Sequence, residues 1–130
     1  MQITTSSSNG SYTIDLVLHT TGGRGLSGYL SGGTAHVGGV AYAVPQPKIG
    51  GDGLTADIST ICGPGHKDVY AAQKVAQRLC VATNEAVCIC AGIHIDNATK
   101  EEIGQLLFLC LDAADRALQQ YLEEKEQGHV

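Results

Sequence analysis

The stretch EAVCICAGIHIDNATKEEI, residues 85–103, decides the fold. Its first half is nearly all apolar, and strand alternation divides it into two unlike faces. Val87, Ile89, Ala91, Ile93 and Ile95 fall on one side, and Cys88, Cys90, Gly92 and His94 on the other. A strand apolar on both faces belongs inside a sheet, so residues 86–95 predict a central strand. In the second half, Asp96 and Asn97 suit a turn. Thr99 and Glu102 then have the spacing of a capping box, in which each side chain satisfies the other's backbone N–H. Ile103, Leu107, Cys110, Ala114, Leu118 and Tyr121 continue as an apolar stripe, which predicts a helix over Thr99–Gln127.

Working outward, SYTIDLVLHT (11–20) alternates, with Tyr12, Ile14, Leu16 and Leu18 on one face, and reads as a half-buried strand. TGGRG (21–25) is a glycine-rich turn, and LSGYLSGG (26–33) reads as a short turn or loop. TAHVGGVAYAV (34–44) is a second strand, ended by the loop PQPKIGGDG (45–53), and LTADISTIC (54–62) is a third. HKDVYAAQKVAQRLCVAT (66–83) has helical spacing through Val69, Ala72, Val75, Ala76 and Leu79. The order βββαβα predicts an α+β domain: a mostly antiparallel sheet with two helices on one face. Residues 1–9 are expected as a flexible Ser/Thr-rich lead-in and 10–127 as a single domain. The sheet face away from the helices needs cover, which predicts a homodimer.

The totals narrow the function classes. With a net charge of −5 and eight scattered basic residues among 130, the chain is not expected to bind nucleic acid, which needs clustered Lys and Arg. No apolar run approaches the ~20 residues that span a bilayer, and residues 1–10 lack the regions of a signal peptide, so a cytoplasmic protein is expected. The five cysteines are an odd set in mostly apolar surroundings, read as reduced, buried small residues. Cys88 and Cys90 with His94 do not suggest zinc, because same-face strand neighbours stand ~6.5–7 Å apart and structural sites draw paired ligands from turns. No bound metal is expected.

Three places carry candidate site residues. HIDN, at the strand-to-helix junction, offers His94, Asp96 and Asn97; a cap and turn explain the Asx residues but not the histidine. GPGHKD (63–68) places Gly65, His66 and Lys67 where a strand ends and a helix begins, a setting suited to a phosphate. Neither a P-loop nor a dinucleotide fingerprint is present, and the plain alternative is an ordinary turn. GGTAHVGGVA (32–41) sets His36 and Gly38 in a strand with few side chains, leaving a shallow channel. Three histidines thus lie beside glycines at ends of predicted strands. Motifs for catalysis are absent: there is no nucleophile elbow, no His-Glu-x-x-His and no apolar carboxylate pair.

At HVGGVAYAVP, PGHKDVYAAQKVAQRL and AGIHIDNATKEEI the chain resembles the LpdD family of prenylated-flavin chaperones, found with UbiD-type gallate decarboxylases. The resemblance covers most of residues 12–120. It implies a proteasome-assembly-chaperone-like fold, a homodimer, and binding of prenylated FMN for delivery to a UbiD-type decarboxylase. The residues expected to hold that ligand are His36, Gly38, Gly65, His66, Lys67, His94, Asp96 and Asn97, with none expected to be catalytic. Two other classes remain open: an assembly chaperone without a small ligand, and a small enzyme using one of the histidines as acid or base.

Overall fold

The computed structural model describes residues 1–64 and 68–130. Six strands form one sheet: β1 (Gln2–Ser8), β2 (Thr13–Thr20), β3 (Leu26–Gly33), β4 (Gly39–Pro47), β5 (Leu54–Cys62) and β6 (Val87–His94). Their spatial order is β1-β2-β3-β6-β4-β5, and only β3 with β6 runs parallel. Two helices, α1 (Val69–Thr83) and α2 (Lys100–Glu126), cover one face, α1 over β4, β5 and β6 and α2 over β1 and β2. The α+β class, the largely antiparallel sheet and the one-sided helices are as the sequence predicts. The element order is not βββαβα but βββββαβα.

Both added strands come from segments that lack a strong local pattern. Residues 2–8, expected within a flexible lead-in, form the edge strand β1. Ile3 is fully buried. On the same face Thr5 donates its hydroxyl to the Ala113 carbonyl at 2.8 Å, and Ser7 to Asp112 Oδ2 at 2.6 Å. Two of the hydroxyls that suggested a loose tail are thus bonded to α2. LSGYLSGG, expected as a turn or loop, is β3 and pairs with β2 on one side and β6 on the other. Its glycines are packing residues. A Cβ at Gly28 would lie 2.6 Å from Leu18 Cδ2, and one at Gly32 would lie 2.5 Å from Ile14 Cδ1.

The expected second strand starts later and runs further, over Gly39–Pro47. β6 pairs with β4 only from Gly39 to Ala43, so beyond that point one side of β4 has no ladder and tolerates Pro45 and Pro47. β6 is central, as expected, and Val87, Ile89 and Ala91 are fully buried beneath the helices. Each fully buried Leu, Ile or Val, such as Leu16, Leu18, Leu30 and Ile89, contributes about 1.5–3 kcal/mol through apolar area removed from water. The opposite sheet face has no helix. There Cys88 and Cys90 are half-buried, and Tyr42 and Ile61 stand 47% and 79% exposed. Cys80 and Cys110 are buried, but Cys62 is exposed at the end of β5, so it is not the core residue expected.

The α2 capping box forms as read, with Glu102 N–H donating to Thr99 Oγ1 and Thr99 N–H to Glu102 Oε1, both at 3.1 Å. At its other end α2 closes on a buried carboxylate. Glu85, which opens the approach to β6, accepts the Gly25 N–H at 2.8 Å, the Tyr121 hydroxyl at 2.9 Å and the Lys125 ammonium at 3.1 Å. Burial pushes this carboxyl up, but those donors outweigh it and hold it below the usual carboxylate range. Burial and the same contact push the Tyr121 phenol up to about 12.

Glu85→Ala should cost about 2–4 kcal/mol, since it leaves the Gly25 amide and Tyr121 hydroxyl unpaired. The lowered folded value also fixes a pH dependence. The stabilisation by Glu85 is complete above the unfolded carboxylate value of roughly 4.3 and disappears as pH falls through the lower folded value. The stability gap between the parent and Glu85→Gln should therefore shrink between pH 7 and pH ~3 in urea titrations. A gap that stays constant over that range would remove Glu85 from this role.

Candidate functional site

Because β6 lies between β3 and β4, the chain leaving β3 must cross β6 to begin β4. It does so at residues 34–38, passing over Gly92. The His36 carbonyl sits where a side chain of residue 92 would be, so only glycine fits beneath the crossing. The Tyr29 hydroxyl donates to that carbonyl at 2.7 Å. Thr34 N–H bonds His94 O at 3.1 Å and Gly38 N–H bonds Ala91 O at 2.9 Å, which ties both feet of the crossing to β6.

This crossing sets the positions of His36 and Gly38. The His36 ring has Nδ1 3.0 Å from the Thr34 carbonyl and Nε2 3.0 Å from Asp68 Oδ2. Both ring nitrogens are taken up within the chain. Asp68 precedes α1 with its side chain only 4% exposed, and its Oδ2 also accepts the Ile93 N–H at 3.0 Å. A Cβ on Gly38 would run into that carboxylate. Asp68 thus joins the crossing, the end of β6 and the start of α1, although none of the three is near another in sequence.

His94 ends β6 with its side chain 59% exposed and Nε2 2.8 Å from Asp96 Oδ1. Its ring meets that of His36 edge-on, 6.4 Å between centroids. Asp96 is almost fully exposed, and Asn97 takes the left-handed conformation at φ 55° that turns the chain into α2. Of the candidates, His36, Gly38, His94 and Asp96 therefore gather at one end of β6. Gly65, His66 and Lys67 lie outside the described residues.

On the helix side of the same strand end lies a cleft of about 400 Å³. The start of α1 supplies Asp68, Tyr70 and Ala71; the end of β6 and the turn after it supply Ile93, His94, Ile95 and Ala98. The first three turns of α2 supply Ile103, Gly104, Leu106, Leu107 and Cys110. The lining is mostly apolar, with His94 and Asp68 as its polar groups, and among the described residues no Lys or Arg lines it. Burial pushes the Cys110 thiol up to about 12, so it is an inert wall. Such a cleft suits a largely apolar small molecule with a few polar groups.

Among the described candidate residues, only His94 lines this cleft; Asp96 and Asn97 shape the turn beside it, while His36 and Gly38 reach it through Asp68. At the α2 start the Thr99 and Glu102 amides close the capping box, and Glu101 and Glu102 place negative charge in the first turn, which disfavours an anion there. The walls missed by sequence reading are Tyr70, Ala71, Ile103, Gly104 and Leu107. The apolar helical spacing of Ile103 and Leu107 was visible, but that spacing does not separate a cleft wall from a core.

The family profile of the prenylated flavin chaperone LpdD-like domain matches residues 8–122. No curated protein matches the chain. Among solved structures, the chain is similar to one from the crystal structure of a chaperone complex for yeast 20S proteasome assembly, at 14% identity and a TM-score of 0.57. That match covers 91% of this chain and 97% of the other, and it shows a proteasome-assembly-chaperone-like fold.

Gly92→Ala should destabilise the protein by roughly 3 kcal/mol or more, because a methyl group would have to displace backbone rather than a flexible side chain. Thermal melting reads this directly. An alanine variant melting within about 2 °C of the parent would mean that the crossing does not rest on residue 92.

Proposed function

This chain belongs to the LpdD-like prenylated flavin chaperone family, and we propose from that premise that it binds prenylated FMN in the cleft at the end of β6 and releases it to a UbiD-type decarboxylase. The observation that carries this reading is the cleft itself: a mostly apolar cavity of about 400 Å³ with His94 and Asp68 in its lining. The tricyclic ring and its prenyl-derived carbons need apolar walls, which Ile93, Leu106, Leu107 and Ala71 supply. The ring also has a polar edge, which His94 meets; Asp96 at 2.8 Å orients that imidazole. Asp68 keeps its carboxylate on His36 and the Ile93 amide and shapes the base of the slot. The phosphate end is assigned to Gly65, His66 and Lys67, the cationic and glycine-rich segment directly before Asp68 in the sequence.

Two of the residues lining the cleft, Tyr70 and Ile103, are 52% and 56% exposed, which leaves the cleft accessible. That suits a carrier, which must release what it holds. Both ring nitrogens of His36 are engaged inside the chain, so a histidine-dependent enzyme gains no support from it.

We also assign the protein to the cytoplasm as a homodimer. Among the described residues no helix is long and apolar enough to cross a membrane. The dimer reading is supported by the helix-free sheet face, where Val40 and the β6 thiols sit beside exposed Tyr42 and Ile61. Ile61→Asp should convert a dimer to a monomer in light scattering at micromolar concentration. A parent that is already monomeric there would remove the dimer from the reading.

Prenylated FMN should change its absorbance on mixing with the purified protein, and His94→Ala or Ile103→Asp should weaken binding by about tenfold or more. Both side chains are exposed, so melting temperatures should stay close to the parent's. Parent-like binding by both variants would place the ligand elsewhere.

A further inference from the structure

α2 holds a single glycine, Gly104, in its second turn. Glycine is among the least favourable residues for a helix interior, so its presence there calls for a cause. Other glycines have one within the chain. Gly92 lies beneath the His36 carbonyl, and Gly28 and Gly32 face the Leu18 and Ile14 side chains. Gly50 and Gly53 take the left-handed conformation, at φ 70° and 98°. Gly104 has none of these. Its φ is not positive, and among the described residues a Cβ added to it would meet nothing within 4 Å. Nothing in the packing of those residues asks for the missing side chain.

Gly104 does, however, line the cleft, between Ile103 and Leu107 on the wall made by α2. The wall from α1 carries Tyr70 and Ala71. The space a side chain at residue 104 would fill is therefore the space of the cleft. A bare stretch of helix backbone there lets a flat ring approach more closely than any side chain would.

We infer that Gly104 is the specificity-determining residue of this cleft, its missing side chain leaving the width that the prenyl-derived carbons of prenylated flavin need and unmodified flavin does not. This rests on the reading that the cleft holds the flavin ring. An added methyl group would cost the wider ligand its fit, as overpacking does in a closed core, and would cost the narrower one much less.

The test is Gly104→Ala, with Gly104→Leu as a graded second variant, titrated separately with prenylated FMN and with FMN and melted without ligand. Gly104→Ala should melt about 4 °C above the parent, because alanine favours the helix and meets open space. The same variant should lose about tenfold in its preference for prenylated FMN over FMN, and Gly104→Leu should lose more. A more stable protein with poorer selectivity is an outcome that a purely structural glycine does not give. Unchanged affinity for prenylated FMN in both variants, or an equal loss for the two flavins, would overturn the inference while leaving the cleft as the binding site. A parent that binds neither flavin would instead overturn the reading on which the inference rests.

Discussion

The position of β6 is the constraint on which the rest depends. It follows α1 in the chain, yet it lies between β3 and β4, parallel to one and antiparallel to the other. A strand held on both sides must be apolar on the helix face, and Val87, Ile89 and Ala91 meet that demand. The same placement obliges residues 34–38 to cross it, and the crossing in turn requires Gly92 and carries His36 to Asp68. The junction after β6 then directs α2 back along the sheet. The cleft is what remains where the end of β6 and the first turns of the two helices fail to close on one another. Its location is therefore a product of topology more than of any local motif.

Two buried carboxylates secure the two ends of this arrangement by different means. Glu85, before β6, is satisfied by an amide, a hydroxyl and an ammonium group, and so joins the β2–β3 turn to the last turns of α2. Asp68, beyond the other end of β6, joins the crossing to the strand through His36 and the Ile93 amide. In each case the cost of burying a charge is offset by donors fixed by the backbone or by a neighbouring cation, which also fixes the relative position of the elements that supply them.

What was legible in the sequence was whatever has a local signature. The α2 capping box needs only residues 99 and 102, and the alternation of β2 needs only its own eight residues. β6 could be placed at the centre because both of its faces avoid charge. β1 and β3 were not legible, since Gln2–Ser8 and Leu26–Gly33 are rich in Ser, Thr and Gly and are strands only because partners supply hydrogen bonds and fill the space over Gly28 and Gly32. The site was legible in outline. His94, Asp96 and His36 could be associated with one end of the sheet, but Asp68 becomes part of it only through contacts 25 and 32 residues away. Ile103 and Leu107 were read as apolar stripe, because a pattern records which side chains avoid water and not whether the volume facing them is filled.

The place of β6 also sets the order of events during synthesis. β1, β2 and β3 form a local meander and β4 with β5 a hairpin, and all five are made before α1. Until residues 87–94 leave the ribosome, the two half-sheets have nothing to join them, and each presents an open strand edge, β3 on one and β4 on the other. The nascent chain therefore waits with its stickiest edges exposed, and one late insertion closes both together. Slow passage through that interval favours pairing between chains over pairing within one.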